Sequence, residues 1–157
     1  MPVRSAESDN SLAIIITGLL LGIPVRFVKI SEQEMSSTLK LYESVMSTAC
    51  HGLLHREGEV VAESLAAMCV GPNDMLEYAR KLLIARGWVE EISFGEREAR
   101  AHGSIEVAEG TGSETCFRLR GIISKLYEKR YKSSFGFREV ECLSKGDSVC
   151  VFRSEAV

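Results

Sequence analysis

The sequence lacks an apolar run long enough to cross a membrane. Its most apolar stretch, residues 12–23, meets Pro24 and Arg26 before reaching the roughly 20 apolar residues that a spanning helix needs. A secretory signal is also missing, because Glu7 and Asp9 interrupt the basic region that should precede such a run, and no small-residue cleavage site is evident. We therefore expect residues 12–23 to be a buried element, and we expect no association with a membrane.

An excess of positive charge is lacking as well. The 157 residues include 19 Lys and Arg against 22 Asp and Glu, a formal net charge of −3, whereas nucleic-acid-binding domains are usually basic overall. We expect no nucleic-acid partner, and we interpret the basic face of a predicted helix, with Arg118, Lys125 and Lys129, as solvated. Five cysteines without a secretory signal favour a cytoplasmic protein with free or metal-bound thiols over a disulfide framework.

The motifs of common enzyme classes are absent. Gly110-Thr-Gly112 is not followed by the further residues of a phosphate-binding loop. His51 and His55 are one helical turn apart, but no glutamate follows His51, as a zinc protease would require, so two solvated histidines are the better interpretation. No nucleophile, base and orienting residue can be placed together, and we expect that the protein is not an enzyme.

Helical periodicity dominates the first half of the chain. A capping box at Ser31-Glu-Gln-Glu34 begins a first helix, which Gly58 is predicted to end. A second helix is predicted to stop at Gly71, and a third at Gly87.

The apolar period then changes from 3.6 to 2. Strands are predicted at about 88–94 and over 97–108, followed by a helix over 115–131 and two strands over 135–143 and 149–152. This order predicts an α+β fold, with helices packed on an antiparallel sheet and two hairpins separated by a helix.

Three cysteines are expected to meet in the C-terminal part of the chain. A predicted tight turn places Cys142 opposite Cys150, and Cys116 begins the preceding helix, where the macrodipole favours a thiolate. A fourth ligand to a zinc ion would come from Glu139 or Glu141. In a regular strand Glu139 and Cys142 point to opposite faces, so the residues alone leave a metal site, free thiols and a disulfide open.

The segment Glu114–Phe152 resembles the V4R (4-vinyl reductase) domain. That family shows a Cys and a Gly at a helix start, then Glu-x-x-Cys, Gly-Asp, and a Cys followed by an aromatic residue, and this sequence has each of them. Gly87-Trp88 also looks like the mid-domain Gly-Trp of the family. We therefore expect an N-terminal extension over 1–30 and a V4R-like ligand-binding domain over 31–157.

The resemblance implies a fold of the nitric-oxide-signalling and Golgi-transport ligand-binding group, usually a homodimer. It also implies a zinc ion held by Cys116, Glu139, Cys142 and Cys150, as in the phenol-sensing transcription activators of the family. Such a ligand set requires an irregularity between Glu139 and Cys142.

The same resemblance implies a small-molecule binding protein or sensor that accepts a hydrocarbon or aromatic ligand. Two alternatives stay open: a protein-interaction or assembly subunit of the trafficking-complex type, and an accessory factor in tetrapyrrole metabolism. The apolar pocket is expected between the helices and the sheet, lined by some of Tyr42, Met46, Trp88, Ile92, Phe94, Phe117 and Tyr127.

Overall fold

The computed structural model describes residues 26–71 and 73–155. Its contacts separate Met1–Ile30 from Ser31–Val157, and the description below concerns the second unit. The buried element expected over 12–23 lies outside the described residues. The division into an extension and a V4R-like ligand-binding domain stays a prediction.

Three helices precede the sheet: α1 (Glu32–Met46), α2 (Ala49–Ala67) and α3 (Met75–Ala85). The predicted capping box is present at the start of α1, since Ser31 Oγ accepts a hydrogen bond from the N–H of Glu34, whose carboxylate accepts one from the N–H of Ser31. In the part of the chain that the structure describes, no helix is long and apolar enough to cross a membrane.

The prediction of one helix ending at Gly58 is wrong. Ser47 has a φ of 51°, which ends α1, and the chain begins α2 only two residues later. Gly58 lies inside α2, where a side chain would overlap the backbone oxygen of Arg118 in α4 (Phe117–Tyr131). Its role is close helix packing, which a rule for helix ends does not anticipate.

Four strands form one antiparallel sheet: β1 (Glu91–Phe94), β2 (Glu98–His102), β3 (Gly136–Glu141) and β4 (Cys150–Glu155). Their order in the sheet is β1-β2-β4-β3, so the two hairpins meet where β2 pairs with β4. Helix α4 lies between the hairpins in sequence and contacts both α2 and β3. The predicted α+β fold, with two hairpins separated by a helix, is confirmed.

The strand predicted over 97–108 ends early, at His102. Gly103 has a φ of 61°, and beyond it Glu106 is buried whereas Ile105 is only partly buried. The predicted alternation had the opposite sense, with Ile105 inside and Glu106 outside. The bend at Gly103 shifts the alternation by one residue and so exchanges the two faces beyond it.

Candidate metal centre and neighbouring aromatic group

Four buried side chains from three segments meet at the start of α4. Cys116 is the residue before the helix, Glu139 lies in β3, and Cys142 and Cys150 lie on either side of the turn between β3 and β4. Their ligand atoms, three Sγ and one carboxylate oxygen, all lie within 4.8 Å of one another. The structure thus brings together the four residues that the resemblance implied, while metal binding by them stays a proposal.

The pairing of β3 with β4 contains the expected irregularity. Glu139 pairs with Phe152, but Glu141 pairs with the neighbouring residue of β4, so Val140 is an extra residue on β3. Because this bulge shifts the alternation of side chains by one, Glu139 and Cys142 turn to the same side despite their odd separation. The local distortion therefore creates the four-residue cluster.

The sulfur–sulfur distances are those of a tetrahedral metal site. Sγ of Cys150 lies 3.8 Å from Sγ of Cys116 and 3.9 Å from Sγ of Cys142, and all three cysteines are free. Two thiolates on one tetrahedral zinc, each with a Zn–S bond of about 2.3 Å, would be about 3.8 Å apart. A disulfide requires about 2.05 Å. The cluster therefore has the dimensions to accept zinc without rearrangement of its sulfurs.

Glu139 provides an independent sign that a cation fits. Its Oε2 accepts a hydrogen bond from the N–H of Cys116 at 3.2 Å, but its Oε1 is buried and has no hydrogen-bond partner among the described residues. Leaving a buried acceptor unsatisfied costs about 1–3 kcal/mol, and more when the group is charged. A cation placed among the three sulfurs would satisfy this oxygen, and three Cys with one carboxylate is a donor set that suits zinc.

The four groups cannot all be ionised in the absence of a positive charge. Burial, followed by the hydrogen bond and charge of Cys142, raises the pKa of Glu139 to about 9. Hydrogen bonds with Cys116 and Cys150 lower the pKa of Cys142. Hydrogen bonds with Cys142 and Cys150 raise the pKa of Cys116. A divalent cation among them would stabilise all four ligands in their anionic form.

Buried hydroxyl groups surround the cluster and were missed in the sequence. Ser104 Oγ accepts from Cys116 Sγ at 3.6 Å. Ser144 Oγ accepts from the N–H of Ala108 at 3.0 Å and lies 2.6 Å from Thr115 Oγ1. These bonds connect the loop before α4 to the β3–β4 turn. No local pattern marks the three hydroxyls, because their partners are distant in sequence.

Glu106 caps helix α4 from the preceding loop. Its two carboxylate oxygens accept from the N–H groups of Arg118, at 3.0 Å, and Leu119, at 2.8 Å. The Arg118 side chain is 6% exposed and pairs with Glu57 at 2.8 Å and Glu106 at 3.5 Å. Burial raises the pKa of Glu106 to about 7, opposed by the two N–H groups and the guanidinium. The expectation of a solvated Arg118 is therefore wrong.

Two lysines of α4 are also paired. Lys129 lies 2.8 Å from Glu63 of α2, and Lys125 lies 3.6 Å from Glu63 and 2.8 Å from Glu128. Instead of a free basic surface, this part of α4 forms ion pairs with α2 at the surface.

The residues predicted to line one pocket fall into separate groups. Tyr42 packs against the buried cluster of Leu39, Leu54 and Phe117. Tyr127 is fully buried ten positions further along α4, about 15 Å from Phe117 along the axis, and its hydroxyl donates to the carbonyl oxygen of Gly95.

The other predicted lining residues differ in exposure. Phe94 lies beside Tyr127, with ring centroids 6.1 Å apart. Ile92 is fully buried, Trp88 is partly buried, and Met46 is 37% exposed. A role in ligand binding stays a prediction for all seven residues.

Phe117 is the centre of an aromatic group at the start of α4. The ring of His51 stacks on it with centroids 3.9 Å apart, and the guanidinium carbon of Arg120 lies 5.9 Å from its centroid. The Nε of Arg120 donates to Nδ1 of His55 at 3.3 Å. Both histidines are partly buried, with side chains 25% and 24% exposed, and each contacts a side chain of α4, so they are not simply solvated.

Comparison with known proteins relates this fold to one family. Residues 98–156 match the family model of the V4R domain. No match is found among curated proteins.

Solved structures that are similar to the chain include the following two. One is the phenol-responsive sensory domain of the transcription activator PoxR with phenol, at 17% identity and a TM-score of 0.67, covering 83% of this chain and 76% of that chain. The other is a vinyl-4-reductase family protein from Methanocaldococcus jannaschii, at 16% identity and a TM-score of 0.61, covering 100% and 99%. At these identities the likeness establishes a shared fold.

Proposed function

We propose that this chain, which matches the V4R domain over residues 98–156, is a non-enzymatic binding protein or sensor for a small aromatic or apolar ligand, with a structural zinc ion. The zinc ligands would be Cys116, Glu139, Cys142 and Cys150. The observation that carries the proposal is the direct adjacency of Cys116, in the cluster, and Phe117, at the centre of the aromatic group. The metal centre and the aromatic group thus share the first turn of α4.

The metal would act on structure rather than on a reaction. Four protein ligands complete a tetrahedral zinc and leave no position for an activated water. Cys116 would fix the start of α4, while Cys142 and Cys150 would fix the turn between β3 and β4. The position of Phe117 would then be set by the bond from the neighbouring Cys116 to the metal and by the packing of Phe117 against α2.

The aromatic group offers the features of a small-ligand site. His51 is partly exposed and stacks on the buried Phe117, and the partly exposed Tyr42 packs against the cluster of Leu39, Leu54 and Phe117. An aromatic ligand that covers their exposed parts would remove apolar surface from water, a contact that rings favour in stacked or edge-to-face geometry. The shared fold with a phenol-responsive sensory domain supports a ligand of this kind.

A second candidate, the interaction or assembly subunit, draws on exposed aliphatic side chains of α1 and α2. Their exposures are 59% for Leu41, 75% for Val45, 56% for Leu53 and 70% for Val60. Such surfaces are typical of contacts between proteins, including the expected homodimer. The paired lysines of α4 add little to such a contact. The cytoplasmic location and the homodimer remain expectations.

Native mass spectrometry of the purified chain tests the ligand-binding proposal. We expect a retained organic mass that disappears in a denaturing spectrum of the same sample, or, for an empty protein, saturable binding of phenol by calorimetry. Tyr42→Leu, which removes the ring packed against the cluster of Leu39, Leu54 and Phe117, should weaken either signal. Phe135→Leu, whose ring lies beside Tyr127 and outside the predicted lining, should leave it unchanged. Absence of both a retained mass and phenol binding would contradict the proposal.

A further inference from the structure

Arg120 is a partly buried cation without an ion-pair partner among the described residues. Its Nε is used by His55, at 3.3 Å, while its terminal nitrogens make no hydrogen bond to the described part of the chain. The buried Arg118, two residues earlier, has carboxylates at 2.8 and 3.5 Å. The guanidinium of Arg120 therefore presents two unused donors beside an aromatic group.

The neighbouring titratable groups do not neutralise this charge. His55 accepts from the guanidinium through Nδ1, and burial, assisted by the charge of Arg120, lowers its pKa. Of the nearby acids, Glu43 bonds His51 at 2.7 Å and Glu59 lies 3.7 Å from Nε2 of His55. Neither carboxylate forms an ion pair with Arg120, so no described carboxylate occupies its terminal nitrogens.

The charge lies directly against the aromatic group. The guanidinium carbon of Arg120 is 5.9 Å from the centroid of Phe117, on which the ring of His51 stacks. Tyr42 packs against the buried cluster that includes Phe117. A planar guanidinium can donate two parallel hydrogen bonds to a carboxylate. A ring and a carboxylate in one molecule would thus use the two features of the site together.

We infer that the small ligand of this site is an aromatic carboxylate, whose carboxylate binds the terminal nitrogens of Arg120 and whose ring packs on Tyr42 and His51. This inference rests on the proposed function and specifies the class of ligand. Unlike a purely apolar ligand, such a molecule carries a negative charge next to the ring that makes the aromatic contact.

Calorimetric titration with three probes tests the inference: benzoate, its neutral analogue benzyl alcohol, and acetate. For the unmodified chain we expect benzoate to bind at least about tenfold more tightly than either of the other two, because only benzoate satisfies both features. Arg120→Gln should weaken benzoate by about tenfold and change benzyl alcohol less than about twofold. Arg153→Gln, at an exposed arginine of β4 paired with Glu98, is the control and should change neither.

The outcomes separate this inference from the proposed function. Binding of benzyl alcohol without a preference for benzoate, or a benzoate affinity that Arg120→Gln leaves unchanged, would overturn the inference and leave a neutral aromatic binder. Failure of both ring probes to bind would overturn both. Arg120→Lys keeps the charge but loses the paired donors, so an intermediate benzoate affinity is expected, and an affinity equal to that for benzyl alcohol would also count against the inference.

Discussion

The close packing of α2 against α4 depends on Gly58 and Gly121. The variant Gly121→Ala tests this contact. A Cβ at Gly121 would overlap the carbonyl oxygen of His55 and lie 2.9 Å from the carbonyl carbon. Neither is the movable end of a side chain, so relief requires the helices to separate. Because α4 carries Cys116 at its start, the same movement would disturb the cluster and the Arg120–His55 contact.

The magnitude follows from two opposing effects. Alanine in place of glycine inside a helix contributes about 1 kcal/mol of stability, while overpacking in a close contact costs about 1–3 kcal/mol and sometimes more. Since the overlap is with backbone, we take the upper end and expect a net loss of about 2 kcal/mol. For a chain of this size, that loss lowers the melting temperature by about 4–8 °C.

Gly52→Ala is the matched control. Gly52 is also inside α2, but a Cβ there meets nothing within 4 Å, so the change should stabilise the protein by up to about 1 kcal/mol. Urea denaturation of both variants gives the comparison, with an expected difference of about 3 kcal/mol. Equal stabilities, or a more stable Gly121→Ala, would show that the two helices do not approach each other in this way.

Three further predictions concern buried charge and the protein surface. Burial raises the pKa of Glu106 from its ordinary value of 4.5 to about 7, so stability that is present below pH 4.5 is lost as the pH rises through 7. Relative to Glu106→Gln, the unmodified chain should lose about 3 kcal/mol between pH 4.5 and 8 in urea denaturation, and a pH-independent difference would contradict this. Arg118→Met leaves Glu106 buried without its cation and should cost about 3–5 kcal/mol by the same assay, whereas Arg153→Met at the exposed ion pair should cost under about 1 kcal/mol. Val45→Lys, at a side chain 75% exposed, should reduce the dimer fraction in sedimentation velocity if α1 contributes to the expected homodimer, and a dimer unchanged by this variant would place the interface elsewhere.

The fold was predictable where structure follows local pattern. The capping box of α1, the helix at 117–131 and the second hairpin obey periodicity and turn chemistry over short stretches. The three cysteines could be placed together because a turn and a helix start determine their positions. The choice of Glu139 needed the family resemblance, since regular strand alternation argues against it and only the bulge at Val140 permits it.

Other features depend on contacts between distant segments and leave no local signal. Gly58 resembles a helix end, yet it is explained by the backbone of Arg118 across the helix pair. Glu106 follows a polar–apolar alternation, but the bend at Gly103 turns it inward to cap α4. Arg118 lies on a helix with several other basic residues, and its burial is set by Glu57 and Glu106.

Metal content of the purified chain tests the proposed zinc centre most directly. Mass-spectrometric metal analysis after dialysis should give one zinc per chain. Cys69→Ser, at a half-buried thiol outside the cluster, should leave the zinc content unchanged. Cys142→Ser should lose the metal and have a lower melting temperature. Zinc-free protein after expression with zinc, or equal zinc in Cys142→Ser, would contradict the assignment of Cys116, Glu139, Cys142 and Cys150 as its ligands.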